Sequence, residues 1–176
     1  FSYLAIAYSL YGITTFMVDY AKYQLGLPLE KASLLATIHG IGQIVGVLTI
    51  LPLSVHLGRI TTIFIGNTFI TAALTGIVVV GNSWMALCIL IGCMAIFYGA
   101  TFPLYGACAG DYFSKDIMGT VIGAWTPLYG CGAILTHWST GLLRDVSGIY
   151  KYAFIVYVVM GALSMVLISL VKKKEG

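Results

Sequence analysis

The chain has 176 residues, 60% of them hydrophobic and only 9% charged, with a mean hydropathy of +0.98. Soluble domains carry about 25% charged residues, so a surface this poor in charge belongs in a lipid bilayer, and the chain reads as an integral membrane protein. The formal net charge of +3 is no nucleic-acid signal, because Lys172, Lys173 and Lys174 sit together at the end of the chain, where basic residues mark a cytoplasmic end beside anionic lipid.

The first apolar stretch covers 1–24 and closes at the joint around Gly26 and Pro28. The second, 31–55, ends at His56-Leu57-Gly58-Arg59. The third, 60–80, holds no charged residue, and Gly81-Asn82-Ser83 supplies a turn and a helix N-cap after it. The fourth, 84–110, meets the polar joint that starts at Asp111; the fifth, 118–143, stops at Arg144-Asp145; the sixth, 152–171, runs into the lysines. At about 20 apolar residues per span, these are six transmembrane helices in one all-α, polytopic bundle over 1–176. Runs of this continuity suit helices rather than alternating barrel strands. An even number of spans puts Arg59 and Lys115 on the same side as the terminal lysines, so the C-terminus is expected in the cytoplasm and the bilayer is expected to be a plasma (inner) membrane. Phe1 opens the chain inside an apolar run with no basic n-region before it, as expected of a piece of a longer protein rather than a signal peptide.

No soluble catalytic, nucleotide-binding or nucleic-acid module fits in the joints. The four cysteines show no Cys-x-x-Cys spacing, so neither a disulfide framework nor a metal site is indicated. Phosphate-loop, His-Glu-x-x-His and Gly-x-Ser-x-Gly motifs are missing. Ser139 and His137 are two apart on a helix and do not face each other. No enzyme activity, cofactor or metal is therefore expected.

Glycines four apart, Gly42 and Gly46, Gly106 and Gly110, Gly119 and Gly123, allow helix backbones to approach closely. They fall on spans two, four and five, which leaves spans three and six as plain lipid-facing helices. Ionisable groups inside a span cost at least about 2.5 kcal/mol at the bilayer centre. Asp19, His39 and His137 are thus candidates for proton coupling. Asp19 is read equally as an ion-pair partner of Lys22 at i+3, and each histidine equally as a neutral hydrogen-bonded group. His39 and Gln43 share a face, as do Tyr11 and Thr15, and Trp125 and Tyr129; Tyr98, Phe102 and Tyr105 form a stripe. Packing accounts for any one of these residues. Together, with Pro103 and Pro127 freeing backbone carbonyls, they predict a polar, aromatic-lined cavity binding a small-molecule substrate.

The segment Leu53-Ser54-Val55-His56-Leu57-Gly58-Arg59 resembles a degenerate form of the short cytoplasmic loop signature of the major facilitator superfamily, matching at Leu53, Gly58 and Arg59. The resemblance implies the C-terminal half of a twelve-helix transporter, paired with an N-terminal six-helix half or with a second copy. Phe16-Met17-Val18-Asp19-Tyr20-Ala21-Lys22, and Gly141 to Tyr150 following Asp111-Tyr112-Phe113 and Gly119 to Gly123, resemble monocarboxylate and oxalate/formate carriers. That clade implies alternating access, with a small organic anion moved by proton coupling or exchange and with Gly58, Arg59 and Asp111 as a cytoplasmic latch. Where many such carriers place an acid and an arginine in the eighth helix, this chain has Gly42 and Gly46. The alternatives are a transporter of a neutral or amphipathic solute, or a stand-alone six-helix scaffold, channel or enzyme.

Overall fold

The computed structural model describes residues 1–80 and 83–171; the Gly81-Asn82 turn and the terminal lysine cluster lie outside them. Among the described residues the chain forms α1 (Ser2–Asp19), a π-helical turn (Tyr20–Gln24), α2 (Leu29–Leu57), α3 (Arg59–Val80), α4 (Trp84–Tyr112), α5 (Lys115–Ser147) and α6 (Lys151–Ser169). The joints are sharp because each has a residue suited to stopping or starting a helix. Pro28, at φ −56°, precedes the first turn of α2 and offers no N–H to leave unpaired. Gly58 (φ +84°) and Gly148 (φ +74°) close α2 and α5 in conformations that a side chain would strain. Ser83 occupies the N-cap of α4, yet its hydroxyl caps nothing; its backbone makes the joint, the N–H donating to the Val80 carbonyl at 3.3 Å and the carbonyl accepting from the Leu87 N–H at 3.0 Å.

The helices overrun the apolar stretches. α2 continues through Pro52 to Leu57, so His56 and Leu57 are its last residues rather than a loop. α5 extends past the apolar core of its segment at both ends.

Five helices, α2 to α6, are long and apolar enough to cross a membrane by length and composition. α1 falls short of that standard because it carries Ser2, Tyr3, Tyr8, Ser9, Tyr11, Thr14 and Thr15. The hydroxyls of Ser2, Tyr8, Ser9, Thr14 and Thr15 find partners within the protein. Ser9 donates to the Tyr157 carbonyl at 2.7 Å, Tyr8 and Ser139 share a hydrogen bond, and Ser2 pairs with Tyr105 at 2.8 Å. A helix enclosed by other helices can be polar where a lipid-facing one cannot.

Packing follows a repeat. α2 lies along α4 as α5 lies along α1, α3 packs on α4 as α6 packs on α1, and α3 meets α6. Helices one to three thus correspond to helices four to six, the internal symmetry common in transporter folds. The close approaches use glycine. A Cβ on Gly42 would sit 2.6 Å from that of Ala95, one on Gly46 would run into the Ile96 carbonyl, and one on Gly99 into the backbone of Gln43. On the other side of the repeat, a Cβ on Gly132 would come within 2.5 Å of the Leu4 carbonyl. The expected pair Gly119 and Gly123 has open space around it, as does Gly106, and Gly110 meets only the Met118 sulfur. Those pairs do not bring helices of this chain together.

α3 and α6 are not plain outer helices either. Asn67 of α3 donates to Ser164 of α6 at 2.7 Å, and Ser2 and Tyr105 complete this buried polar knot. Interhelical hydrogen bonds of this kind contribute about 0.6 kcal/mol each on average.

Candidate functional site

Two adjacent threonines of α1 organise the candidate groups. Successive helical residues point about 100° apart, so Thr14 and Thr15 reach to different neighbours of α1. Thr14 meets His39 of α2, with Oγ1 3.4 Å from Nε2. Thr15 meets His137 of α5, with Oγ1 2.8 Å from Nε2. Both histidines lie about 15 Å along their helices from the nearer end, inside the span of a hydrocarbon core about 30 Å thick. Their surroundings differ sharply.

His39 is 2% exposed. Gln43 Nε2 donates to its Nδ1 at 2.9 Å. The Thr14 hydroxyl is spent on the Leu10 carbonyl at 2.8 Å, so Thr14 accepts from His39 Nε2–H. The Tyr98 ring stands edge-on to the imidazole at 5.0 Å. Both ring nitrogens are occupied by neutral partners, and a second ring proton on Nδ1 would set a donor against a donor.

His137 is exposed. Its Nδ1–H donates to the Ala133 carbonyl at 2.5 Å, which leaves Nε2 as the acceptor of the Thr15 hydroxyl. Phe16 and Tyr11 flank the ring at 5.9 and 6.5 Å. Tyr11 is edge-on to Tyr129 at 5.4 Å, and Tyr129 is edge-on to Phe102 at 6.0 Å. Tyr98 lies within hydrogen-bonding reach of Thr14 and Tyr129. Seven of the eight expected substrate residues, Tyr11, Thr15, His39, Gln43, Tyr98, Phe102 and Tyr129, therefore fall on one connected array over α1, α2, α4 and α5. Outside their first and last turns, none of these four helices carries an Asp, Glu, Lys or Arg.

Trp125 lies further toward the Phe1 end of the bundle, against Phe113 at 6.2 Å. It lines a cavity of 360 Å³ together with Ser2, Tyr105 and Cys108. Tyr3, which sequence reasoning missed, separates that cavity from the array: its ring is stacked between Tyr105 at 4.5 Å and Tyr129 at 4.4 Å. Tyr105 leaves the predicted stripe to join the polar knot with Ser2 and Asn67.

Asp19 is the last residue of α1, and the ion pair with Lys22 that was one of its two readings does not form. The ion pairs among the described residues are Arg59–Asp111 and Arg144–Asp145, and Lys22 turns to Tyr23 instead, its ammonium 4.7 Å from the ring centroid. The cause is the π turn that begins at Tyr20, whose wider winding takes position i+3 off the face of Asp19.

At the other end of the bundle, Arg59 Nε is 3.6 Å from Asp111 Oδ2, with the two side chains 21% and 52% exposed. Arg59 also donates to Ser54 Oγ and, at 3.5 Å, to the Leu51 carbonyl. Gly58, through its positive φ, makes the reversal that brings Arg59 back along α2.

The family model described as Major Facilitator Superfamily matches residues 1–176. The chain belongs to the Major Facilitator Superfamily. Two solved structures share the superfamily chain's fold. The POT family transporter PepTSo aligns with a TM-score of 0.74 at 18% identity, over 96% of this chain and 35% of its own. An auto inhibited POT family peptide transporter aligns with a TM-score of 0.77 at 17% identity, again over 96% and 35%. The chain thus spans 35% of the length of either protein. No curated protein matches it.

Proposed function

We propose that this superfamily bundle forms one wall of a proton-coupled transporter of a small organic anion, a monocarboxylate-like solute, working by alternating access with an N-terminal six-helix half. The observation that carries the reading is the His137–Thr15 pair, an exposed, titratable group on a wall that has no fixed charge. When His137 is neutral, Nε2 accepts from Thr15 and offers an anion nothing. When it takes up a proton, Nε2–H becomes a donor, and a carboxylate oxygen is the stronger acceptor for it than the Thr15 hydroxyl. Proton and anion then cross together as a pair without net charge, which suits a midplane site from which charge is otherwise absent.

His39 is assigned a supporting role in this scheme, because its nitrogens are already committed to Thr14 and Gln43. Asp19, at the end of α1, is placed on the proton's entry path rather than at the site. The Arg59–Asp111 pair holds α3 to α4 at the cytoplasmic end, and its rupture accompanies opening to that side. Gly42 and Gly46, the positions aligned with an acid and an arginine in carriers of this kind, are pressed against α4 at Ala95 and Ile96. An anion-binding arginine cannot be housed there, so the histidine takes its place.

The test is uptake of radiolabelled lactate into proteoliposomes holding the full-length protein, with and without an inward proton gradient. Gradient-driven uptake that His137→Gln abolishes is the expected result. Uptake of a dipeptide in place of lactate, or lactate uptake indifferent to His137, would overturn the reading.

A further inference from the structure

The 360 Å³ cavity at the Phe1 end of the bundle takes no part in the site assigned above. It lies among α1, α4, α5 and α6, and Tyr3, stacked between Tyr105 and Tyr129, closes it off from the His137 array. Its volume is that of a small-molecule site. An apolar cavity of about 150 Å³ holds one benzene ring, so this one has room for two fused rings. Tyr3, Tyr105, Tyr112, Phe113 and Trp125 make its walls largely aromatic, and among the described residues no charged side chain lines it. The hydroxyls of Ser2 and Tyr105 are already engaged with each other, with Ser164 and with Asn67. A charged occupant would therefore find no counter-ion here, and its desolvation would go uncompensated.

We infer that this cavity is a second ligand site, separate from the transport site, for an uncharged, flat aromatic molecule of about two fused rings. Both faces of the Tyr3 ring are covered, by Tyr105 at 4.5 Å and Tyr129 at 4.4 Å, which leaves its edge to meet an occupant. The edge of an aromatic ring is electropositive and the face electronegative, so a ligand that turns a π face toward Tyr3 gains what an alkyl chain of equal size does not. Cys108 lines the same cavity and is 7% exposed, so an occupant shields its thiol. The site does not depend on what the His137 array carries.

The test uses the full-length protein with Cys108 as its one cysteine, in detergent, and compares 2-naphthol with decan-1-ol, which share ten carbons and one hydroxyl. At ten times its Kd, 2-naphthol is expected to slow maleimide labelling of Cys108 about tenfold, and decan-1-ol at the same concentration to slow it about twofold or less. Heat stabilisation of the wild-type protein by 2-naphthol should accompany the protection, persist in His137→Gln and disappear in Leu128→Trp, whose larger side chain fills the cavity. Protection by decan-1-ol equal to that by 2-naphthol would make the cavity a place for alkyl chains and overturn the aromatic assignment. Labelling indifferent to both compounds, or stabilisation that survives Leu128→Trp, would overturn the site. Loss of the effect in His137→Gln would overturn its separation from the transport site.

Discussion

His39 and His137 are indistinguishable as letters, and each stands next to a small or polar neighbour, Gly40 or Thr136, in an apolar helix. What separates them is the side of α1 on which they fall. Thr14 contributes to sealing the first, and Thr15 leaves the second open. Three expectations follow at this scale. His137→Gln removes the titratable nitrogen, so uptake that rises as the outside is acidified in the native protein becomes flat with pH; rates measured across a pH series check this. Thr15→Val removes one hydrogen-bonding partner of His137 and of the bound anion, and should raise KM about two- to tenfold while the pH dependence persists. His39→Leu leaves Gln43 and Thr14 without their buried partner, a loss of about 1–3 kcal/mol, seen as a lower melting temperature, and the pH profile keeps its shape.

At the scale of the helix, glycine content alone was a poor guide to contact. Gly-x-x-x-Gly spacing marks a smooth face, yet it cannot tell a face that meets a neighbour from one that meets nothing in the same chain. Gly42 and Gly46 are of the first kind, Gly119 and Gly123 of the second. Gly46→Ala forces its methyl into the Ile96 carbonyl, and because backbone cannot swing aside as a flexible side chain does, it should destabilise the bundle by about 1–3 kcal/mol. Gly123→Ala has room for the methyl and gains helix propensity, so it should leave the melting temperature of the isolated bundle unchanged or higher. Thermal unfolding of the two variants side by side checks the contrast. The π turn at Tyr20–Gln24 is a second feature of this scale. It sends Gln24 Oε1 to accept from the Tyr150 N–H at 2.7 Å, tying the end of α1 to the start of α6. Hydropathy reads through such a turn without registering it.

For the molecule as a whole, the Arg59–Asp111 pair sits at one end of the bundle and the Gln24–Tyr150 bond at the other, with the histidines between. A half-exposed ion pair contributes about 0–1 kcal/mol, enough to bias two nearly balanced states and too little to lock one. Arg59→Ala should therefore raise maleimide labelling of Cys108, buried in the cavity at the Phe1 end of the bundle, by about two- to fivefold in a protein with no other cysteine. Asp111→Asn should act similarly, and the double variant should add little to either. Equal labelling in all four proteins would remove the latch from the mechanism.

Composition and the lengths of the apolar runs by themselves determined the membrane setting, the all-helical class and the number of helices, and a resemblance around Gly58 and Arg59 pointed to the superfamily. These are properties of local sequence: apolar length sets a span, and a glycine or proline sets its end. The tertiary structure decided which face of each helix meets another, and so everything about the site. It put α1 between the two histidines, turned Tyr105 into a polar knot, moved Trp125 to the cavity at the Phe1 end and wedged Tyr3 between two tyrosines. It also showed that Asp19 does not pair with Lys22. A helix presents every azimuth to something, and the choice among lipid, neighbour and cavity is made by the packing of all six helices at once.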